Sequence, residues 1–271
     1  MKRAALQLSG SICRDFFSFI KNSPSVYREE RLGMVHNYMS RFELLLKNYN
    51  NAVEHAKSAK KYLSLNSDNF STACEQEFYA LFYSEQYDEA IHAAENMLQN
   101  ATRYELGEFH YAKYNFLHAC ALFRKNEFES ALGLLPKVKA LKDDKEGWGL
   151  GIRLLSIMAC MKLNFHPKAE KEIYSLQKFI DFNKKNKTYT QREELIVNIL
   201  VRIMNTGFDL KFLKDKTYKD LFLLSGNENG YSWEMLTPEL IPFHEWLLSK
   251  MPVKTKAKER IAVFTQAVNA T

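Results

Sequence analysis

One eleven-residue phrase, written four times, constrains this chain more than any other feature. It runs from Ala80 through Tyr87 to Ala90, from Ala121 through Phe128 to Ala131, and from Ala159 through His166 to Ala169. A weaker first copy runs from Phe42 through Tyr49 to Ala52. The closing alanines follow one another at spacings of 38, 41 and 38 residues. A fixed period of this length marks an array of stacked supersecondary units, each burying an apolar face against the next.

The phrase has a direct physical reading. Its first half ends one helix on bulky apolar residues (Leu81 and Phe82, Leu122 and Phe123). A short polar step follows, Ser84-Glu85-Gln86 or Lys125-Asn126-Glu127, and an aromatic ring then opens the next helix. The closing alanine lies one turn beyond that ring, on the side that must approach the partner helix. A large side chain there would overpack the contact at a cost of about 1–3 kcal/mol. Each copy therefore reads as the elbow of a helix hairpin.

Tyr87-Asp88-Glu89-Ala90-Ile91 and Phe128-Glu129-Ser130-Ala131-Leu132 resemble the elbow and second-helix start of tetratricopeptide (TPR) repeats. Ala80 and Ala121 fall where that family also favours a small residue late in its first helix. The resemblance covers residues 25–183. Two features depart from it: the early Trp-Leu-Gly signature is absent, and the period exceeds the family's 34 residues, which implies longer helices or loops. The resemblance implies an all-α, right-handed α-solenoid of about five hairpins with a helical cap at each end. It also implies a non-enzymatic scaffold that binds a protein or peptide in a concave groove.

Composition agrees with helices. Ten glycines and six prolines in 271 residues are too few for an all-β chain that must turn every ten residues. Hydrophobic residues at 46% and charged residues at 26% describe a folded globular chain. The formal charge of +6 is mildly basic and leaves nucleic acid open as an alternative partner. Cys13, Cys74, Cys120 and Cys160 form no Cys-x-x-Cys pair and lie in apolar surroundings, which reads as reduced core thiols of a cytoplasmic protein. Lys2-Arg3 before Ala4-Ala5-Leu6 imitates a weak export signal, but Gln7, Ser9 and Ser11 break the apolar run. No stretch approaches the eighteen apolar residues of a membrane span.

In chain order, residues 1–24 read as an amphipathic helix stopped by Asn22-Ser23-Pro24. It is a cap, or the second helix of a repeat whose first half is missing, as in a sensor or scaffold fragment of a longer protein. Four repeats fill 25–183, and a degenerate fifth hairpin fills 184–225, opened by a capping box from Thr190 to Glu193. A capping helix within 226–251 is expected to start at Thr237-Pro238 and to bury Leu240, Phe243, Trp246 and Leu247. The basic segment 252–271 reads as a flexible tail. Gly147, Gly149 and Gly151 follow no apolar strand and make no phosphate loop.

The chain carries no motif for chemistry and implies no cofactor. Its histidines lack metal-ligand spacing, and His110 and His118, two turns apart, lack a third ligand. What remains is surface. The repeat register assigns groove positions to Asn37, Arg41, Tyr79, Tyr83, Lys113, Phe116, Arg124, Met158 and Lys162, a mixture of aromatic and basic residues suited to an acidic or C-terminal peptide. Some TPR domains grip a chaperone carboxylate with fixed Lys, Asn and Arg residues. That set maps here onto Asn37, Arg41, Gln76, Lys113 and Leu117; only Lys113 keeps the required type, so a clamp of that kind is not expected.

Overall fold

The structure, a computed structural model, describes residues 2–142, 147–185, 190–226 and 230–251, and among them there is no strand. Two compact units divide the chain, residues 1–142 and 143–271. The expected links at 143–146 and 186–189 and the tail at 252–271 lie outside the described residues.

The first unit opens with α1 (Lys2–Asn22). Three hairpins follow: α2 (Glu29–Leu45) with α3 (Tyr49–Tyr62), α4 (Asp68–Tyr83) with α5 (Tyr87–Arg103), and α6 (Glu108–Arg124) with α7 (Phe128–Leu134). Each helix packs on its neighbours in sequence, and α2 also packs on α4. The expected second helix of the third copy is interrupted. Pro136 lacks an amide hydrogen and its ring clashes with the preceding turn. The chain therefore passes through a 3-10 turn (Leu135–Val138) into the short α8 (Lys139–Lys142).

The elbow is the same backbone object every time. Its middle residue is left-handed in all four copies: Lys47 at φ 65°, Glu85 at 64°, Asn126 at 67° and Asn164 at 57°. In the second copy the amides of Ser84, Glu85 and Gln86 donate to the carbonyls of Ala80 (3.0 Å), Phe82 (3.2 Å) and Leu81 (2.9 Å). The last of these, a bond back over five residues, recurs from Asn48 to Glu43, from Glu127 to Leu122 and from Phe165 to Cys160. This is a Schellman turn, which satisfies the carbonyls a helix C-terminus would otherwise leave unpaired.

The conserved spacing of aromatic and alanine now has a structural cause. Ala52, Ala90, Ala131 and Ala169 are all fully buried. The carbonyl of Ala52 accepts the Ser40 hydroxyl at 2.8 Å, and a Cβ at Gly33 would stand 2.6 Å from the Leu63 side chain, so α2 and α3 nearly touch. The opening ring packs on the residue that ends the next first helix. Tyr49 stacks on Tyr83 at 6.5 Å, and Tyr87 lies under the Arg124 guanidinium at 5.3 Å while its hydroxyl accepts from Arg124 Nε at 2.8 Å.

The second unit holds the fourth hairpin, α9 (Trp148–Lys162) with α10 (His166–Lys185), and then α11 (Gln191–Asn205), α12 (Asp215–Ser225) and α13 (Phe243–Leu248). Gly147, left-handed at φ 89°, sets the entry to α9. The capping box forms as its residues imply: the Thr190 hydroxyl accepts the Glu193 amide at 3.2 Å, and the Glu193 carboxylate accepts the Thr190 amide at 2.9 Å. After α11 the Schellman turn begins again with Phe208 donating to Ile203, but Gly207 and Phe208 are both left-handed and the chain reaches α12 only at Asp215.

The last helix is a correction. It begins at Phe243 with Pro242 at its cap, five residues later than Pro238, because residues 231–241 are spent on a different task. The Arg192 guanidinium donates to both oxygens of Glu239 at 2.7 Å, to the carbonyls of Leu224 (3.0 Å) and Tyr231 (2.7 Å), and to His244 Nδ1 at 3.1 Å. Glu239 in turn accepts the amide of Phe243 at 2.8 Å. Leu240, Phe243, Trp246 and Leu247 are buried as expected.

Candidate partner-binding face

The residues assigned to a groove separate into three groups. Asn37, Tyr79, Phe116 and Met158 are buried, which corrects their assignment to an open surface. Asn37 donates to the carbonyl of Asn69 at 2.8 Å and so ties α2 to the start of α4. Tyr79 is enclosed, and desolvation with the nearby Glu75 carboxylate holds its phenol well above the usual range. Asn37, Tyr79 and Phe116 pack between helices because α2, α4 and α6 are each flanked on both sides, and Met158 is buried on α9, which packs on α10.

A second group is half-buried and engaged. Lys113 of α6 reaches back to Glu75 of α4 at 2.7 Å. Tyr83 and Arg124 carry the copy-to-copy ring contacts, and Arg124 also approaches Glu85 at 3.4 Å. Lys162 ends α9 in the second unit, where partial burial and then the positive charge of Lys250 lower its pKa. Four of the five carboxylate-clamp positions are equally committed: Gln76 and Leu117 are buried, Lys113 is paired and Asn37 holds Asn69, which leaves Arg41.

Only Arg41 is exposed among the nine, and it has neighbours that the register does not single out. Tyr38 is 55% exposed and Met34 36% exposed. Positions 34, 38 and 41 are spaced i, i+4, i+7, so they form one strip along α2. The equivalents of Tyr38 and Arg41 on α4 and α6 are Gln76 with Tyr79 and Leu117 with Cys120, all buried, whereas the equivalents of Met34 are the exposed Thr72 and the half-buried Lys113. The signal that could have found this strip was an aromatic and a methionine at helical spacing from an arginine. Such a cluster supplies area from the ring and thioether and charge from the guanidinium.

Among the described residues, other groups with chemical capacity do not assemble into clusters. Among the described residues no group of three or more His, Cys, Asp and Glu side chains could hold a metal ion. Burial raises the thiols of Cys74, to about 11, and of Cys120, so both stay protonated. His110 donates through Nδ1 to the Leu106 carbonyl at 2.9 Å, an assignment that follows from the acceptor. Among the described residues no helix is long and apolar enough to cross a membrane. Comparison of the chain with known protein families, with curated proteins and with solved structures finds no match in any of the three.

Proposed function

We propose that this chain is a non-enzymatic, cytoplasmic interaction module of TPR-like hairpins, a right-handed solenoid of about five, that binds a protein or peptide along its first helices. The observation that carries the reading is the α2 strip of Met34, Tyr38 and Arg41, open to water on an element whose backbone is fixed by packing on α3 and α4. A rigid helix that presents an aromatic, a thioether and a guanidinium pays little entropy on binding. The complementary partner carries a carboxylate for Arg41 and an apolar side chain for Tyr38 and Met34.

Basic side chains elsewhere support a protein partner over nucleic acid. Lys60, Lys113, Lys125, Arg192 and Arg202 are each paired with an acidic group of the chain itself and are not arrayed for phosphates. The test is capture from nuclease-treated lysate with the wild-type chain and with the Tyr38→Ser/Arg41→Glu variant. A discrete protein held by the wild type and lost by the variant is the expected result. Loss of all bound material on nuclease treatment, with binding that falls steeply with salt, would replace this reading with nucleic-acid binding.

A further inference from the structure

Each helix of the first hairpin turns one histidine toward the other. His36 of α2 and His55 of α3 bring their Nδ1 atoms to 3.1 Å. Their ring centroids are 5.3 Å apart, so the two nitrogens point at each other along one line. The Phe17 ring of α1 stands edge-on to His36 at 4.9 Å, and Tyr62 of α3 stacks on it at 5.9 Å. Burial lowers His36 to about 4 and lowers His55 as well, so both rings are neutral near neutral pH. A neutral imidazole has one N–H and one nitrogen lone pair, so at this contact one Nδ1 donates to the other.

Neutral imidazoles are also ligands for transition metals, and the arrangement limits which ion fits. Among the described residues no group of three or more His, Cys, Asp and Glu side chains could hold a metal ion. Tetrahedral zinc and the oxygen cages of calcium need such a group. A soft monovalent ion held by two nitrogens on one line does not. Metal–nitrogen bonds of about 2 Å would set the nitrogens about 4 Å apart, an opening of about 1 Å. His55 is not packed solid on every side: it lines a cavity of about 170 Å³ together with Arg14, Met39 and Glu43.

Charge narrows the choice further. Arg14 of α1 and Lys61 of α3 face the pair against Glu43 of α2 and Glu54 of α3, two cations against two anions. This balance leaves the charge of a bound ion uncompensated. The cost of partial burial rises steeply with that charge, so a single positive charge is tolerated best.

We propose that His36 and His55 bind one Cu(I) ion between their Nδ1 atoms and so tie α2 to α3. The hydrogen on the donating Nδ1 moves to Nε2 of the same ring. Both Nδ1 lone pairs then face the ion, and no proton is released. Met39, which lines the cavity beside His55, adds a thioether of the soft kind that selects Cu(I).

The experiment uses the full chain, kept anaerobic with ascorbate, and Cu(I) presented by a chromogenic chelator that competes for it. The chain withdraws one equivalent. Histidine ¹⁵N spectra of the wild type identify the ligands without any substitution: the Nδ1 resonances of His36 and His55 move together as Cu(I) is added. His36→Gln and His55→Gln each weaken binding by at least ~tenfold with unchanged far-UV circular dichroism. Cys13→Ser binds as the wild type does, which separates the pair from the thiol of α1. Zn(II) binds at least ~tenfold more weakly than Cu(I). Failure to withdraw Cu(I), unmoved Nδ1 resonances, full affinity in His55→Gln, loss of affinity in Cys13→Ser, or Zn(II) binding as tight as Cu(I) would overturn the proposal.

Discussion

At the scale of single residues, the elbows carry a cost that the chain accepts four times. Lys47 and Glu85 sit in the left-handed region, where an L side chain costs about 1–2 kcal/mol and glycine costs nothing sterically. Part of that gain is offset because glycine is more flexible when unfolded. Lys47→Gly should therefore raise stability by about 0.5–1 kcal/mol, and Lys47→Val, whose branched Cβ tolerates that region worst, should lower it. Urea midpoints for the pair decide the point, and a valine variant as stable as wild type would sink it. The closing alanines are unforgiving in the other direction. Ala131 is fully buried, so Ala131→Phe should cost about 3 kcal/mol or prevent folding, whereas a wild-type melting temperature would show that the hairpin is not tight there.

At the scale of elements, what could be read ahead of the structure follows one division. Helix ends, elbows and buried alanines were legible because they obey short-range rules that repeat: the ring opens a helix, the alanine follows one turn later, and Thr190 caps with Glu193. The burial of Asn37, Tyr79, Phe116 and Met158 was not, because it depends on a neighbouring helix covering the position. On α2 the same register leaves Tyr38 and Arg41 open, and only packing distinguishes the cases. The Arg192 clasp was invisible for a related reason. Its partners Glu239 and His244 lie 47 and 52 residues away, and no spacing rule links an arginine in a first turn to a loop that far downstream. The loop between α12 and α13 is held by this one buried ion pair, so its removal has a defined signature. Arg192→Met leaves Glu239 charged and unpaired and should cost about 3–5 kcal/mol; Arg192→Met/Glu239→Leu should recover most of it. Denaturation of both variants is the check, and a double variant as weak as the single one would mean that the clasp matters for more than its charges.

For the whole molecule, the buried titratable groups define a window of pH. Burial lowers His36 to about 4 and His244 to about 3, and lowers His55 and His118 as well. The His244 ring is neutral because Arg192 donates to its Nδ1, and the guanidinium disfavours a second positive charge there. His36 and His55 face each other through Nδ1, with ring centroids 5.3 Å apart against a nitrogen separation of 3.1 Å. The rings therefore meet head-on, with one Nδ1 hydrogen between them, and a second hydrogen on that line would push them apart. Each of these histidines takes up a proton more readily when the chain is unfolded. Stability is therefore complete above pH ~6.5 and falls as pH drops toward 4, with His244 alone contributing on the order of 4 kcal/mol once fully titrated. At the other end, Cys74, Cys120, Tyr79 and Tyr114 are all raised by burial, so the unfolded chain releases protons first and stability falls again as pH rises past about 9. The expected profile is a plateau between those limits. Unfolding free energies across pH 4–10, repeated for His244→Asn, test it: the variant should flatten the acid limb and leave the alkaline one untouched. An acid limb of unchanged slope would mean that His244 is already free of Arg192 in solution.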